Sequence, residues 1–264
     1  MKTGAMHQAP FPYYGAKGRL APWILSHMPE HAIYVEPFIG SGAVLLAKAP
    51  ARTEVINDLN GDVVNFWRVL RDRYDELVGA LQFTPYARDE YLFCRDGRAG
   101  PTDDVERARQ FFARCCMAFN ASTGRVGFSP SGLGKLGKAS TFRRRIDGRL
   151  EQVAERIREV EIENMNALEL IRRWRDPQAV LYLDPPYVNG TRSSTSDYAT
   201  DNGSEEFHQA LMDTIADHRG TVMLSGYIGS PYDCLGWRRE EIQVPAHVSN
   251  RIGTKRTECL WINR

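Results

Sequence analysis

The sequence predicts one large α/β protein with a doubly wound, mostly parallel sheet of seven strands, interrupted by a mainly helical insertion. Three observations predict it. Strand-length apolar runs alternate with helical periodicity in both halves of the chain; a strand, a glycine turn and a helix follow one another early on; and the alternation stops between about residues 84 and 150. A chain of 264 residues, 42% of them hydrophobic, can bury a full core.

Residues 10–19, Pro-Phe-Pro-Tyr-Tyr-Gly-Ala-Lys-Gly-Arg, form an irregular aromatic and glycine segment before a helix from about Leu20 to Met28, with Pro22 in its first turn. Ala32 to Val35 is a short buried strand. Glu36-Pro37-Phe38-Ile39-Gly40-Ser41-Gly42 then turns into an apolar helix, Ala43 to Ala47. Glycines there let the backbone approach a ligand, and the helix start offers free N–H groups. The turn is not GxGxxG, and an acid ends the strand. That argues against a pyrophosphate cofactor and for one carrying an ammonium group or another positive charge. The second strand, Glu54 to Asn57, ends at Asp58, near the offset of ~20 residues at which an acid takes ribose hydroxyls in dinucleotide folds. The ligand therefore contains an adenosine-like ribose. From Gly61 to Gln82, Val63, Val64, Phe66, Trp67, Leu70, Tyr74, Leu77, Val78 and Leu81 recur at helical spacing and mark a core face.

The insertion holds an acidic turn, a helix from about Asp104 to Phe119 and a glycine-rich stretch. Between Arg107 and Arg149 it carries ten Lys or Arg against one acid, Asp147, in a chain that balances 34 basic with 33 acidic residues for a net charge of +1. Flexible backbone with cations on both sides suits a phosphate backbone. Lys135, Lys138, Arg143, Arg144 and Arg145 are the expected nucleic-acid contacts, the three adjacent arginines suiting phosphates.

The alternation resumes with a helix at Glu151 to Arg158, a strand at Val160 to Glu163, a helix at Ala167 to Trp174 and a strand at Ala179 to Leu183. Asp184-Pro185-Pro186-Tyr187 ends that strand. Neither proline can continue a central strand, so the chain leaves the sheet at Asp184. A carboxylate, unpaired carbonyls and a ring are thereby presented at a strand's carboxyl end, a set suited to a planar amine. Residues 188–203 form a polar loop long enough to be a lid. Ser204 caps a helix with Phe207, Leu211 and Ile215 on one face; Thr221 to Ser225 is a further strand, and Glu240 to Val244 with Glu258 to Ile262 form a closing antiparallel pair.

No apolar run approaches the ~20 residues that span a bilayer and no hydrophobic signal core begins the chain, so a cytoplasmic location is expected. Five cysteines without a CxxC, and six histidines without ligand spacing, point to reduced thiols and no metal site.

Taken together, Tyr13-Tyr-Gly-Ala-Lys17, Glu36 to Gly42, Ile56-Asn-Asp-Leu-Asn60 and Asp184-Pro-Pro-Tyr187, in this order, resemble the Dam-type adenine-specific DNA methyltransferases, as does the tail Val248 to Leu260. Departures fall in the first motif, where Tyr14 and Ala16 replace the usual alanine and glycine. The resemblance implies a Rossmann-like S-adenosylmethionine-dependent methyltransferase fold, with a catalytic domain at 1–83 and 151–264 and a DNA target-recognition domain at 84–150. It implies S-adenosylmethionine bound by Tyr13, Lys17, Glu36, Pro37, Gly40, Gly42, Asp58 and Asp184. Asp184, Pro185, Pro186 and Tyr187 would then act on an adenine flipped out of double-stranded DNA. Arg125, in the Gly124-Arg-Val-Gly127 turn, occupies the place where that family's hairpin enters the major groove and suits a guanine edge. A monomer is expected, and a restriction endonuclease partner stays open. The alternatives are a methyltransferase acting on RNA or a protein amide, and a non-catalytic DNA-binding module with a vestigial pocket.

Overall fold

The structure is a computed structural model and describes residues 8–96, 103–119, 127–131, 137–186, 204–245 and 255–264. Its seven strands are β1 (Ile33–Glu36), β2 (Thr53–Asn57), β3 (Glu161–Glu163), β4 (Ala179–Leu183), β5 (Thr221–Tyr227), β6 (Arg238–Pro245) and β7 (Lys255–Ile262). They form one sheet in the order β3-β2-β1-β4-β5-β7-β6. The first five are parallel, whereas β7 runs antiparallel to both β5 and β6. The expected Rossmann-like α/β fold is what is found, with the reversal of strand order falling between β1 and β4.

Among the described residues, ten α-helices pack on this sheet: α1 (Ala21–Ser26), α2 (Ala43–Ala47), α3 (Gly61–Asp72), α4 (Tyr74–Gln82), α5 (Arg88–Asp96), α6 (Asp104–Met117), α7 (Lys138–Arg144), α8 (Leu150–Arg156), α9 (Ala167–Arg173) and α10 (Glu205–Ile215). Period-two alternation divides each central strand between two cores. Tyr34, Ile56, Val180, Tyr182 and Met223 join α1 to α8 on one face, while Val35, Val55, Leu181, Leu183 and Leu224 join α9 and α10 on the other. Side-chain caps set the helix starts, with Asn60, Asp103, Asn166 and Ser204 each accepting a backbone N–H of the first turn.

Two elements differ from the sequence reading. The helix expected over residues 61–82 is two helices, because Arg73 leaves helical geometry at φ −135° and ψ 41°. Helix α5 stands where only an acidic turn was expected. Its Tyr91 and Cys94 are buried, and Asp89 and Glu90 sit in its first turn, so the acidic stretch is a helix start.

Residues 84–150 do break the alternation, but their described helices share a core with the first half. Phe66 of α3 stacks on Phe112 of α6 at 5.8 Å between centroids, and Phe111 meets Phe11 edge-on at 5.1 Å. Phe142 of α7 and Ile146 in the following π-type turn belong to the same cluster. Among the described residues, no helix is long and apolar enough to cross a membrane and no cluster of His, Cys, Asp or Glu could hold a metal. All five cysteines are free thiols.

Candidate functional site

The site lies where the carboxyl ends of β1, β2 and β4 meet, at the reversal of strand order that leaves a crevice in doubly wound sheets. Pro37 follows β1 and ends its ladder. Ile39 N–H then bonds back to Asn57 O at 2.9 Å and Gly42 N–H to Ile39 O at 2.8 Å, folding the Glu36 to Gly42 segment into a compact turn. Gly40 and Gly42 have φ of 45° and 67°, a region in which side-chain-bearing residues are strained. Space demands glycine as well. A Cβ on Gly42 would come within 2.9 Å of the Trp67 ring, and one on Gly40 within 3.0 Å of the Tyr13 ring. Trp67 donates its indole N–H to Gly40 O at 3.0 Å, so helix α3 holds the turn from below.

Asp58 holds the same turn from β2. One carboxylate oxygen accepts Gly40 N–H at 3.0 Å and the other accepts Asn60 N–H at 2.9 Å. Burial nevertheless raises its pKa to about 6, the backbone bonds offsetting only part of the desolvation. Each oxygen keeps a lone pair that a hydroxyl could use. Asn57 was not singled out in the sequence, yet it is fully buried. Its amide donates to Pro37 O and Met165 O and accepts Met165 N–H, tying the β1 and β3 exits together.

Glu36 is 3% exposed. Desolvation lifts its pKa to about 8, a hydrogen bond from the Tyr34 hydroxyl at 2.8 Å works against the rise, and the nearby Asp184 charge adds to it. Tyr34 and Glu36 share a strand face at i, i+2, a spacing legible in the sequence. Tyr182 stands likewise two residues before Asp184, and its hydroxyl is hydrogen-bonded to Ser225 Oγ at 2.8 Å in the interior.

Asp184 directly follows β4, with Pro185 and Pro186 buried behind it. Both of its carboxylate oxygens accept from Lys17 Nζ, at 2.7 and 2.8 Å, and Lys17 donates also to Gly15 O at 3.2 Å. Burial alone would lower the Lys17 pKa, but the charge of Asp184 and its hydrogen bonds outweigh it and hold the ammonium well above the ordinary lysine range. Sequence reasoning placed Lys17 and Asp184 in one pocket without anticipating that they pair.

Tyr13, Lys17, Glu36, Pro37, Gly40, Gly42, Asp58 and Asp184 are thus gathered at one end of the sheet. Tyr187, Arg125, Lys135 and the 188–203 loop lie outside the described residues. The basic residues of the insertion scatter more than the sequence suggested. Arg143 donates to Leu81 O, Gln82 O and Thr84 O at 3.3, 2.6 and 3.0 Å and thereby caps helix α4. Arg145 reaches Pro10 O at 3.5 Å, whereas Arg144 and Lys138 are exposed. Arg107 and Arg114 pair with Asp62, and Arg109 with Glu90 and Glu106.

A reversed seventh strand beside five parallel ones, with an acid at the exit of β1, another after β2 and an Asp-Pro-Pro corner after β4, is the layout of a Rossmann-like methyltransferase. The chain belongs to the D12 class N6 adenine-specific DNA methyltransferase family, whose model matches residues 13–230. It is an enzyme of DNA adenine N6 methylation. It is 28% identical to the type II methyltransferase M1.LlaDCHI of Lactococcus lactis subsp. cremoris over 241 residues, which cover 82% of this chain and 80% of that one. With the type II methyltransferase M.MjaIII of Methanocaldococcus jannaschii the identity is 25% over 256 residues, 86% of each chain. The DNA adenine methylase of Escherichia coli K12 is 34% identical over 68 residues, 26% of this chain and 24% of that one. Among solved structures, the rRNA methyltransferase aviRa of Streptomyces viridochromogenes aligns over 98% of this chain and 89% of that one, with 14% identity and a TM-score of 0.39. That likeness adds nothing to what the strand order already establishes.

Proposed function

We propose that the chain transfers a methyl group from S-adenosylmethionine to N6 of an adenine flipped out of double-stranded DNA, at a specific site, as a Dam-type member of its family. The observation that carries this reading is the placement of Asp184 at the exit of β4 beside Glu36 at the end of the adjacent β1, near enough for the Asp184 charge to act on Glu36. The donor set fits the cofactor. Glu36 is a buried carboxyl suited to an ammonium group, Asp58 offers spare lone pairs to a ribose diol, and Gly40 and Gly42 leave room that a Cβ would fill. When bound, the cofactor supplies an electrophilic methyl group on a sulfonium.

The residues of the chain do the rest. Adenine N6 is paired inside the duplex, so the base must leave the stack. Its amine lone pair is delocalised into the ring. Hydrogen bonds from N6 to Asp184 and to a carbonyl of Pro185 or Pro186 draw it toward a tetrahedral, more nucleophilic form and stabilise the positive charge developing on nitrogen. Tyr187 stacks on the ring. Direct transfer then depends on alignment and needs no covalent enzyme intermediate. In this reading residues 84–150 recognise the target and the remainder of the chain carries the chemistry, with Arg125 reading a base and Arg144 and Lys138 meeting phosphates.

The Lys17 contact adds a requirement. Both Asp184 oxygens accept from Lys17, so the amine gains an acceptor only when Lys17 releases one. Leaving a buried charge without its partner costs ~3–5 kcal/mol. The test is incubation with labelled S-adenosylmethionine and duplex DNA of mixed sequence, followed by mapping of methylated adenines. Methylation confined to one sequence context and lost in Asp184→Ala is expected. A folded Asp184→Ala that methylates at the wild-type rate would overturn the assignment.

A further inference from the structure

A carboxylate that is to take the cofactor's ammonium must be ionised and held in place inside the protein, and β1 carries a group that serves both needs. Tyr34 and Glu36 lie two residues apart on this strand and so share one face of the sheet. Both are buried, and the Tyr34 hydroxyl donates to Glu36 Oε2 at 2.8 Å. Burial, then the charge of Glu36, keeps the Tyr34 pKa well above the ordinary tyrosine range, so the hydroxyl stays a donor throughout the neutral range.

The ring that carries this hydroxyl is itself fixed. Lys48, directly after α2, places its Nζ 4.5 Å from the centre of the Tyr34 ring and pairs with Glu54 of β2 at 2.6 Å. Glu54 in turn accepts from Arg156 of α8 on both oxygens, at 2.5 and 2.8 Å. The phenol is therefore braced by α2, β2 and α8, which keeps its hydroxyl aimed at Glu36. Other groups act on Glu36 in both directions. Asp184, beyond β4, opposes its ionisation, whereas Lys48 and a backbone bond from Leu45 favour it, each less than the Tyr34 hydroxyl does. Tyr182 of β4 also feels the Glu36 charge, but its hydroxyl is engaged with Ser225.

We propose that Tyr34 is a positioning residue for cofactor binding: its hydroxyl holds one oxygen of Glu36 and favours the ionised carboxylate, so that the ammonium of S-adenosylmethionine meets a negative charge already in place. The inference rests on the reading that Glu36 takes that ammonium. Tyr34 acts through Glu36, since its own hydroxyl is engaged by the carboxylate.

The test is calorimetric binding of two ligands, S-adenosylhomocysteine, which carries the same ammonium, and methylthioadenosine, which lacks it. Both are titrated into the full-length protein and into Tyr34→Phe, Glu36→Gln and the double variant. Tyr34→Phe removes one oxygen and keeps the ring, and unaltered methylthioadenosine binding verifies that the crevice is folded. It should weaken S-adenosylhomocysteine about tenfold at pH 7, as expected for a lost hydrogen bond to a charged group, and leave methylthioadenosine within about twofold. A tenfold loss corresponds to a carboxyl titrating at about 9 in the variant against about 8 in the wild type. The ratio of the two dissociation constants should therefore shrink to about twofold at pH 9, and the ammonium's own titration cancels in that ratio. In the Glu36→Gln background Tyr34→Phe should have no further effect. Unchanged S-adenosylhomocysteine affinity in Tyr34→Phe, a loss that does not vary with pH, an equal loss for both ligands, or a loss that persists beside Glu36→Gln would each overturn the proposal, the last three because a merely structural role gives them. If Glu36→Gln itself binds S-adenosylhomocysteine as tightly as the wild type, the reading of Glu36 falls; if it binds more weakly while Tyr34→Phe is unimpaired, only the present inference falls.

Discussion

On the proposed reading, in which Glu36 takes the ammonium group of the cofactor, cofactor binding is proton-linked. Burial is the main reason its pKa stands at about 8 in the protein without ligand, and the adjacent Asp184 charge adds to it. At neutral pH the carboxyl is therefore mostly protonated, with about one molecule in ten ionised at pH 7 and about one in a hundred at pH 6. An ammonium ligand binds the ionised form, so binding expels the proton and affinity follows the ionised fraction. The dissociation constant should fall about tenfold from pH 6 to pH 7. It should level off near pH 8, where the α-ammonium, at about 7.7–8.0, begins to lose its own proton. Titration calorimetry in two buffers of different ionisation enthalpy counts the protons directly, and about 0.9 should be released per ligand at pH 7. Stability runs the opposite way. A carboxyl whose folded pKa is raised favours folding below its unfolded value and loses that contribution as pH rises toward the folded one. The ligand-free protein should thus lose thermal stability from about pH 4.5 to about pH 8. Glu36→Gln should flatten both profiles. Wild-type affinity that is constant from pH 6 to pH 8 without proton release would refute the placement of the ligand's cation at Glu36.

Gly42→Ala should destabilise the protein by about 2–5 kcal/mol in urea denaturation, combining ~1–2 for a left-handed backbone with ~1–3 for displacing Trp67; an unchanged midpoint would show that the turn yields at no cost. Asp58→Ala should weaken S-adenosylmethionine binding roughly tenfold to a hundredfold in calorimetry and lower the melting temperature, since two backbone N–H groups lose their acceptor. Arg143→Ala and Arg144→Ala should separate cleanly. The first should cost about 1.5–3 kcal/mol of stability through the loss of charged bonds to the end of α4. The second should leave stability alone and flatten the salt dependence of DNA binding by about 0.9 in the log–log slope. Equal salt slopes for the two variants would contradict this division.

Much of the catalytic half is legible in the sequence because its signals are local. Ala179–Leu183 is a strand with the bounds expected, since five apolar residues end at two prolines, and Ala43–Ala47 begins where the glycine turn must end. The break at Arg73 is not local in origin. The apolar stripe from Val63 to Leu81 continues across it, and what sets the separate direction of α4 is its packing on α6 and the capping of its last turn by Arg143, some sixty residues away. Helix α5 escaped notice for a related reason. It buries few residues, and its first turn is acidic, so composition masks the helix that Tyr91 and Cys94 anchor.

Charge shows where sequence order misleads. Ten cations between Arg107 and Arg149 read as one basic face only while their partners are sought in the same stretch. The acids that answer Arg107, Arg109 and Arg114 are Asp62, Glu90 and Glu106, on α3, on α5 and one turn back along α6. Arg107 and Arg114 bind the insertion to α3, and Arg109 joins α5 to α6 within it, roles for which partly buried charge needs a partner close by. Arg143 is taken up by backbone carbonyls for the same reason. Among the described residues of that run, Lys138 and Arg144 are the exposed cations, so the described part of this surface should contribute to nucleic-acid affinity, and to its salt dependence, through those two side chains. The same lesson applies at the site itself. Lys17 and Asp184 are each legible as ligand contacts from their own motifs, but their pairing across 167 positions is a property of the sheet, which brings the segment before α1 against the exit of β4. On the proposed reading, that pairing makes Asp184 an acceptor that Lys17 must release before the target amine can use it.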